Sequence, residues 1–299
     1  MRILVSGSSG LVGSALRPAL AAAGDEVGRL VRPGTNAGPL DVPWDPAAHR
    51  IDAAQLERFD AVIHLAGENI AAGRWNEARK EAIRRSRVDG TLLLTRALAK
   101  LQTPPATFVS ASAIGYYGDR GDEVLQETSQ RGRGFLPAVC VAWESAAEPA
   151  EAAGLRVVHH RFGVILSQDG GALARMLLPF RLGLGGPVGS GRQYMSWITL
   201  DDAVGAIRHT LDSTSIAGPV NTVSPSPVSN RNFGRTLGRV LRRPAIAALP
   251  AFAARLAFGE MADALLLAST RVVPGVLQAT GYTYRHPELE MALRHVLNG

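Results

Sequence analysis

Three observations predict a doubly wound α/β fold, a parallel sheet covered on both faces, with a smaller, mainly helical C-terminal lobe. Short β-branched apolar runs ("RILVSG", "DEVGRLVR", "DAVIHLAG", "ATFVSASA", "LRVVHHRFGVIL", "PVNTVSP") alternate with longer helical stretches. A G-x-x-G-x-x-G spacing, Gly7, Gly10 and Gly13, stands between the first such run and the first helical stretch. From about Asn230 the alternation stops, and "RNFGRTLGRVLRR", "FAARLAFG" and "MADALLLAST" read as helices.

Strands separated by helices of this length require right-handed crossovers, which place helices on both faces of a parallel sheet. The expected division is a nucleotide-binding domain over 1–165, with 196–225 returning to it, and a substrate lobe from 166–195 and 226–299. Between them "FRLGLGGPVGSGRQ" is a glycine-dense loop, either a cleft border or a plain surface connection. With 299 residues, 46% of them hydrophobic and 19% charged, the chain can bury a sizeable core, which excludes the disordered class.

The net charge of +6 and pI near 10.1 raise the question of nucleic acid. The excess is arginine, since Lys80 and Lys100 are the only lysines, and the densest run, Arg74 to Arg87, carries two glutamates and reads as a solvated helix face. No nucleic-acid partner is therefore expected. The apolar stretch from Ala245 to Ser269 is broken by Pro250, Arg255, Glu260 and Asp263, too short for a membrane span. No charged-then-apolar leader precedes the first strand, and a single cysteine, Cys140, excludes an internal disulfide. A cytoplasmic location is expected, and no metal site is read from the sequence.

The glycine spacing acquires its meaning from its context. In a strand, loop and helix order, Gly7 permits the tight turn, Gly10 lets backbone approach a pyrophosphate, and Gly13 allows close helix packing. Ser9, Leu11 and Val12 complete the loop, and the helix N-terminus supplies amide donors and a positive dipole end. This is the dinucleotide-binding Rossmann arrangement. The second strand runs into "GRLVRPG" without an acid to accept from a ribose 2′-hydroxyl, so Arg32, with Arg29 nearby, favours NADP(H). After the fourth strand, Leu65, Ala66 and Gly67 offer a flat approach to the cofactor.

These residues, with "RWNEARKEAIRRSRVDGT", "SASAIGYYGD", "GGALARMLLPFRLGLGGPVGSGRQYMSWITLDDAVGAI" and "GEMADALLLAST", resemble extended short-chain dehydrogenases/reductases. Within that superfamily of NAD-dependent epimerase/dehydratase-like proteins, the chain looks like an uncharacterised epimerase-family subgroup with a characteristic short C-terminal domain. The resemblance implies a serine after the fifth strand and a Tyr-x-x-x-Lys pair on the next helix. Ser112 matches the serine, with Ser110 behind it at the cofactor. Aligning the pair on "LPAVCVAWE" puts Leu136 at the tyrosine, Cys140 at the lysine and Glu144 at a following glutamate, and no lysine exists beyond Lys100. Any proton donor must come from elsewhere. Tyr116 and Tyr117 follow Ser112 closely, with Arg120 as a neighbouring cation.

The resemblance also places Arg161, Gly163 and Val164 around a nicotinamide carboxamide, where a backbone contact is expected. Arg192 is a candidate for gripping an anionic substrate, with Tyr194 beside it. His159 and His160 are consecutive in a strand and point to opposite faces, so they cannot share a metal. Asp201 reads as a helix N-cap. Two functions follow. One is an NADP-dependent oxidoreductase or epimerase acting on a small molecule. The other is a non-catalytic NADP(H)-binding protein whose ligand state governs a protein partner.

Overall fold

The computed structural model describes residues 1–298. Its first half builds β1 (Arg2–Ser6), α1 (Leu11–Ala22), β2 (Glu26–Val31), β3 (Val42–Asp45), β4 (Arg50–Ile51), β5 (Ala61–His64), α2 (Glu77–Leu98) and β6 (Thr107–Ala113). There follow β7 (Val124–Leu125), α3 (Phe135–Ser145), α4 (Glu148–Ala152), β8 (Arg156–Phe162), β9 (Val164–Leu166) and α5 (Gly171–Arg181). The remainder is β10 (Tyr194–Met195), β11 (Trp197–Thr199), α6 (Leu200–Asp212), β12 (Gly218–Thr222), β13 (Val228–Ser229), α7 (Asn230–Leu241), α8 (Ala251–Phe258), α9 (Glu260–Ala262), β14 (Arg271–Val272), α10 (Gly275–Ala279) and α11 (Leu289–Asn298).

Eight strands form one sheet in the order β12-β8-β6-β5-β1-β2-β3-β4, parallel except where the short β4 turns back on β3. The order reverses direction on either side of β1, so β1 and β5 splay their connections apart and leave a crevice at their carboxyl ends. Side-chain alternation on each strand fills two cores. Ile3, Val5, Ile63, Val109 and Val158 meet α1 and α6 on one face. Leu4, Val62, Phe108 and Val157 meet Leu94 and Leu98 of α2 on the other.

A third core lies apart from the sheet. Leu173, Leu177 and Phe180 of α5 close on Phe233 and Leu237 of α7 and on Leu289 and Leu293 of α11. Helix starts follow side-chain capping: Asn76 accepts from Arg79 N at 2.7 Å, and Ser229 from Asn232 N at 3.3 Å. Asp201 is not the cap of α6. Thr199 is, accepting from Asp202 N at 3.1 Å, because the strand β11 ends there and only Thr199 has the extended backbone that a cap needs. Asp201 instead sits in the first turn and pairs with His295 at 2.6 Å. Among the described residues, no helix is long and apolar enough to cross a membrane.

Candidate functional site

At the carboxyl end of β1, Gly7 turns the chain with φ +64°. A Cβ there would stand 2.7 Å from the Leu65 carbonyl carbon and 2.8 Å from Ala66 N, so the turn lies directly against the segment leaving β5. A Cβ on Gly13 would collide with the Gly7 carbonyl, which is why α1 can begin so close to β1. Gly10 N donates to Gly7 O at 2.9 Å and caps α1 with no side chain, leaving the first-turn amides of Leu11, Val12 and Gly13 without a side-chain acceptor. Ser9 is exposed at the crest of the loop. Ser6 fixes the neighbouring segment by accepting from Leu65 N at 3.1 Å and Ala66 N at 3.2 Å, while its Oγ meets His64 Nδ1 at 2.7 Å. His64 is fully buried, and desolvation pushes its imidazole down to about 4.

The two arginines of the second strand separate. Arg29 is held by Asp41 through Nε at 3.0 Å and through Nη2, so it is spent. Arg32 is exposed just beyond β2 and has no ion-pair partner among the described residues. Bare amides on a helix N-terminus, and glycines that bring the turn, α1 and the Leu65–Ala66 segment close together, fit a dinucleotide, and Arg32 stands at the end of β2 without an ion-pair partner among the described residues.

Farther along the sheet edge, Ser112 of β6, Arg161 of β8 and Asn221 of β12 stand in register. Residues in register on adjacent parallel strands share a face, so three polar side chains form one row. Glu144, from α3, closes over it. Ser112 Oγ donates to Glu144 Oε1 at 2.6 Å, and Arg161 grips the same carboxylate through Nε at 2.8 Å and Nη2 at 2.7 Å. Arg161 Nη1 also donates to Tyr117 Oη at 3.0 Å, and Tyr117 Oη donates in turn to Asn221 Oδ1 at 2.7 Å. Burial alone would lower the Arg161 guanidinium, but the Glu144 carboxylate outweighs it and holds the group above its ordinary value.

This network separates the two tyrosines. Tyr117 is fully buried with its hydroxyl doubly bonded, and burial raises its phenol, which withdraws it from the candidate proton donors. Tyr116 is half-buried, and its hydroxyl has no partner among the described residues. Its ring lies 3.5 Å beneath the Arg161 guanidinium. With Gln130, Arg131, Gly132, Arg133 and Gly134 it lines a pocket. Arg120 is not the cation beside it, being paired with Glu123 at 2.7 Å. Leu136 and Cys140 abut Gly115, whose Cβ would stand 3.4 Å from Leu136 Cβ and 3.8 Å from the Cys140 sulfur.

Other expected contacts are rearranged. Gly163 N donates to Thr222 O at 3.1 Å and Val164 N to Ser196 O at 2.9 Å, so these amides are spent and the pair can offer a ligand only acceptors and surface. Ser110 is wholly buried, its hydroxyl donating to Ala111 O at 3.2 Å. Arg192 is exposed, while Tyr194 carries Arg271 over its ring at 4.7 Å. Thr270 N donates to Tyr194 O at 3.2 Å, and Ser269 N to Asp119 Oδ1 at 3.0 Å, so this wall joins the loop after Tyr117. Arg161, expected at the nicotinamide carboxamide through its backbone, instead turns its side chain onto Glu144 and Tyr117. Asn221 and Arg271 carry no signal in the sequence, and only register with Arg161 and stacking on Tyr194 reveal them. Glu144 had a signal: it follows Leu136 and Cys140 at intervals of four, on one helix face.

Residues 3–221 match the NAD-dependent epimerase/dehydratase family. The chain belongs to that family. Residues 249–296 match a domain of unknown function, DUF1731, which accounts for the C-terminal helices as a distinct sequence unit. The epimerase family protein Mb2239 of Mycobacterium bovis is 44% identical over 291 residues, 97% of this chain and 96% of that one. The crystal structure of the human epimerase family protein SDR39U1 with NADPH superposes with a TM-score of 0.89 at 36% identity, covering 100% of this chain and 99% of that one. The nucleoside-diphosphate sugar epimerase of Corynebacterium glutamicum gives a TM-score of 0.81 at 37% identity, with 99% of this epimerase-family chain corresponding to 58% of that one.

Proposed function

We propose that this epimerase-family protein binds NADP(H), with the 2′-phosphate on Arg32, and acts as an oxidoreductase or epimerase on a small hydroxyl- or carbonyl-bearing molecule. The observation that carries the chemistry is Tyr116, a phenol with a free hydroxyl whose ring rests 3.5 Å under the Arg161 guanidinium. It stands one residue from Gly115, which packs on Leu136, the position a catalytic tyrosine would otherwise hold. When bound, the nicotinamide would accept or supply the hydride. Tyr116 would exchange the proton of the substrate oxygen, with the guanidinium stabilising negative charge as it develops. Ser112 has given its hydrogen to Glu144, so its lone pairs remain to orient a substrate hydroxyl. NADPH in the human relative supports the choice of cofactor. A cytoplasmic setting belongs to this reading.

Turnover with NADP(H) across sugar nucleotides, quinones and aldehydes tests it. Tyr116→Phe keeps the ring under Arg161 and should lower kcat about 100-fold or more, and Ser112→Ala should raise KM, both with dinucleotide affinity unchanged. The burial of Tyr117 and the apolar Leu136 favour a second reading, a non-catalytic NADP(H)-binding protein with a protein partner. No turnover across the panel, together with intact NADPH binding, would select it.

A further inference from the structure

The position at which the resemblance calls for a lysine holds Cys140, and burial pushes that thiol up to about 12, so it carries no charge. A cation nevertheless stands beside it. Arg87 rises from α2, and its guanidinium carbon lies 5.0 Å from the ring centre of Trp143, one turn beyond Cys140 on α3. On its other side it faces Gly67, where a Cβ would stand 3.4 Å from Cζ, so the guanidinium lies in van der Waals reach of the strand end. Nη1 donates to Glu68 O at 3.1 Å and Ile83 O at 3.2 Å. Nε and Nη2 donate to nothing among the described residues, and no carboxylate forms an ion pair with Arg87 there. The side chain is half-buried, and these remaining N–H groups are open to water or to the acceptors of a ligand.

The position of those free donors identifies what they meet. The Gly7 turn touches Leu65 and Ala66, and Gly67 is the next residue along. A dinucleotide with its pyrophosphate on the N-terminus of α1 must cross Leu65–Gly67 to bring its reactive ring to Ser112 on the neighbouring strand β6. A sugar between pyrophosphate and ring would then lie near Gly67. Its vicinal hydroxyls are the acceptors that a planar guanidinium can engage with two parallel N–H groups.

We infer that Arg87 binds the nicotinamide-ribose hydroxyls, supplying from α2 the cation that Cys140 cannot supply from α3. This rests on the dinucleotide reading above. Titration calorimetry on the full chain compares NADPH with adenosine 2′,5′-bisphosphate, which lacks the nicotinamide ribose. Arg87→Met retains an apolar stem against Trp143, and should weaken NADPH about tenfold while leaving the bisphosphate unchanged. Arg87→Lys should recover part of the loss, and thermal unfolding should show all three proteins folded. Equal weakening of both ligands, or none of either, would overturn the assignment of Arg87 alone. Failure of the unaltered protein to bind NADPH would overturn the dinucleotide reading, and this inference with it.

Discussion

At the glycine loop, Arg32 stands exposed without an ion partner among the described residues and the first amides of α1 lack a side-chain cap there, whereas at the carboxyl ends of β6, β8 and β12 nearly every polar atom is bonded. The contrast separates two uses of charge. Donors left open are pre-organised for an anion that is not part of the chain, and they cost little because water reaches them. Arg161 and Glu144, 4% and 14% exposed in their side chains, were taken out of water together and hold the sheet edge only as a pair. On the function proposed above, the open region would set cofactor affinity, while the closed region holds the geometry of the row that Ser112 and Arg161 form.

Breaking the closed region should give the largest effect. Glu144→Ala leaves a buried guanidinium uncompensated and should cost about 3–5 kcal/mol of stability, read from the midpoint of urea unfolding. A loss under about 1 kcal/mol would show that this pair behaves like a surface one and that the contrast is false.

A smaller effect is expected where the two regions meet, at His64. Its folded value of about 4 lies below its ordinary 6.5, so as pH falls the unfolded chain takes up the proton first. Stability should therefore fall between about pH 6.5 and 4, by up to about 3 kcal/mol from this residue. His160, driven by burial to about 3, acts in the same direction and extends the fall to lower pH. Urea unfolding in a pH series should show a shallower fall for His64→Asn than for the unaltered chain. An identical slope would remove His64 from the account.

The smallest stability effect belongs to the open region. Arg32→Ala should leave the unfolding midpoint unchanged within about 0.5 kcal/mol, yet weaken NADPH about tenfold and NADH hardly at all. Calorimetric titration of both cofactors would sharpen the comparison, and equal losses would place the 2′-phosphate elsewhere.

The readings that rest on local pattern stand in the folded chain where they were expected: the parallel strands, the Gly7–Gly13 loop opening α1, and His159 and His160 on opposite faces of β8. A turn, a helix start and a strand periodicity are each decided within a few residues, by sterics and by hydrogen bonds to near neighbours. Two local readings failed because a neighbour competed, Thr199 for the cap of α6 and Glu123 for Arg120. Strand alternation and glycine spacing thus determined an α/β chain of the dinucleotide-binding kind, and the resemblance added that Leu136 and Cys140 stand where that family has a tyrosine and a lysine. Only the tertiary structure decided which groups face one another: Arg161 against Glu144 and Tyr116, Arg87 against Gly67 and Trp143, Asp41 on Arg29. Those contacts join residues from different strands and helices, and the distance between two side chains is set by sheet register and helix packing, which no single stretch of chain encodes.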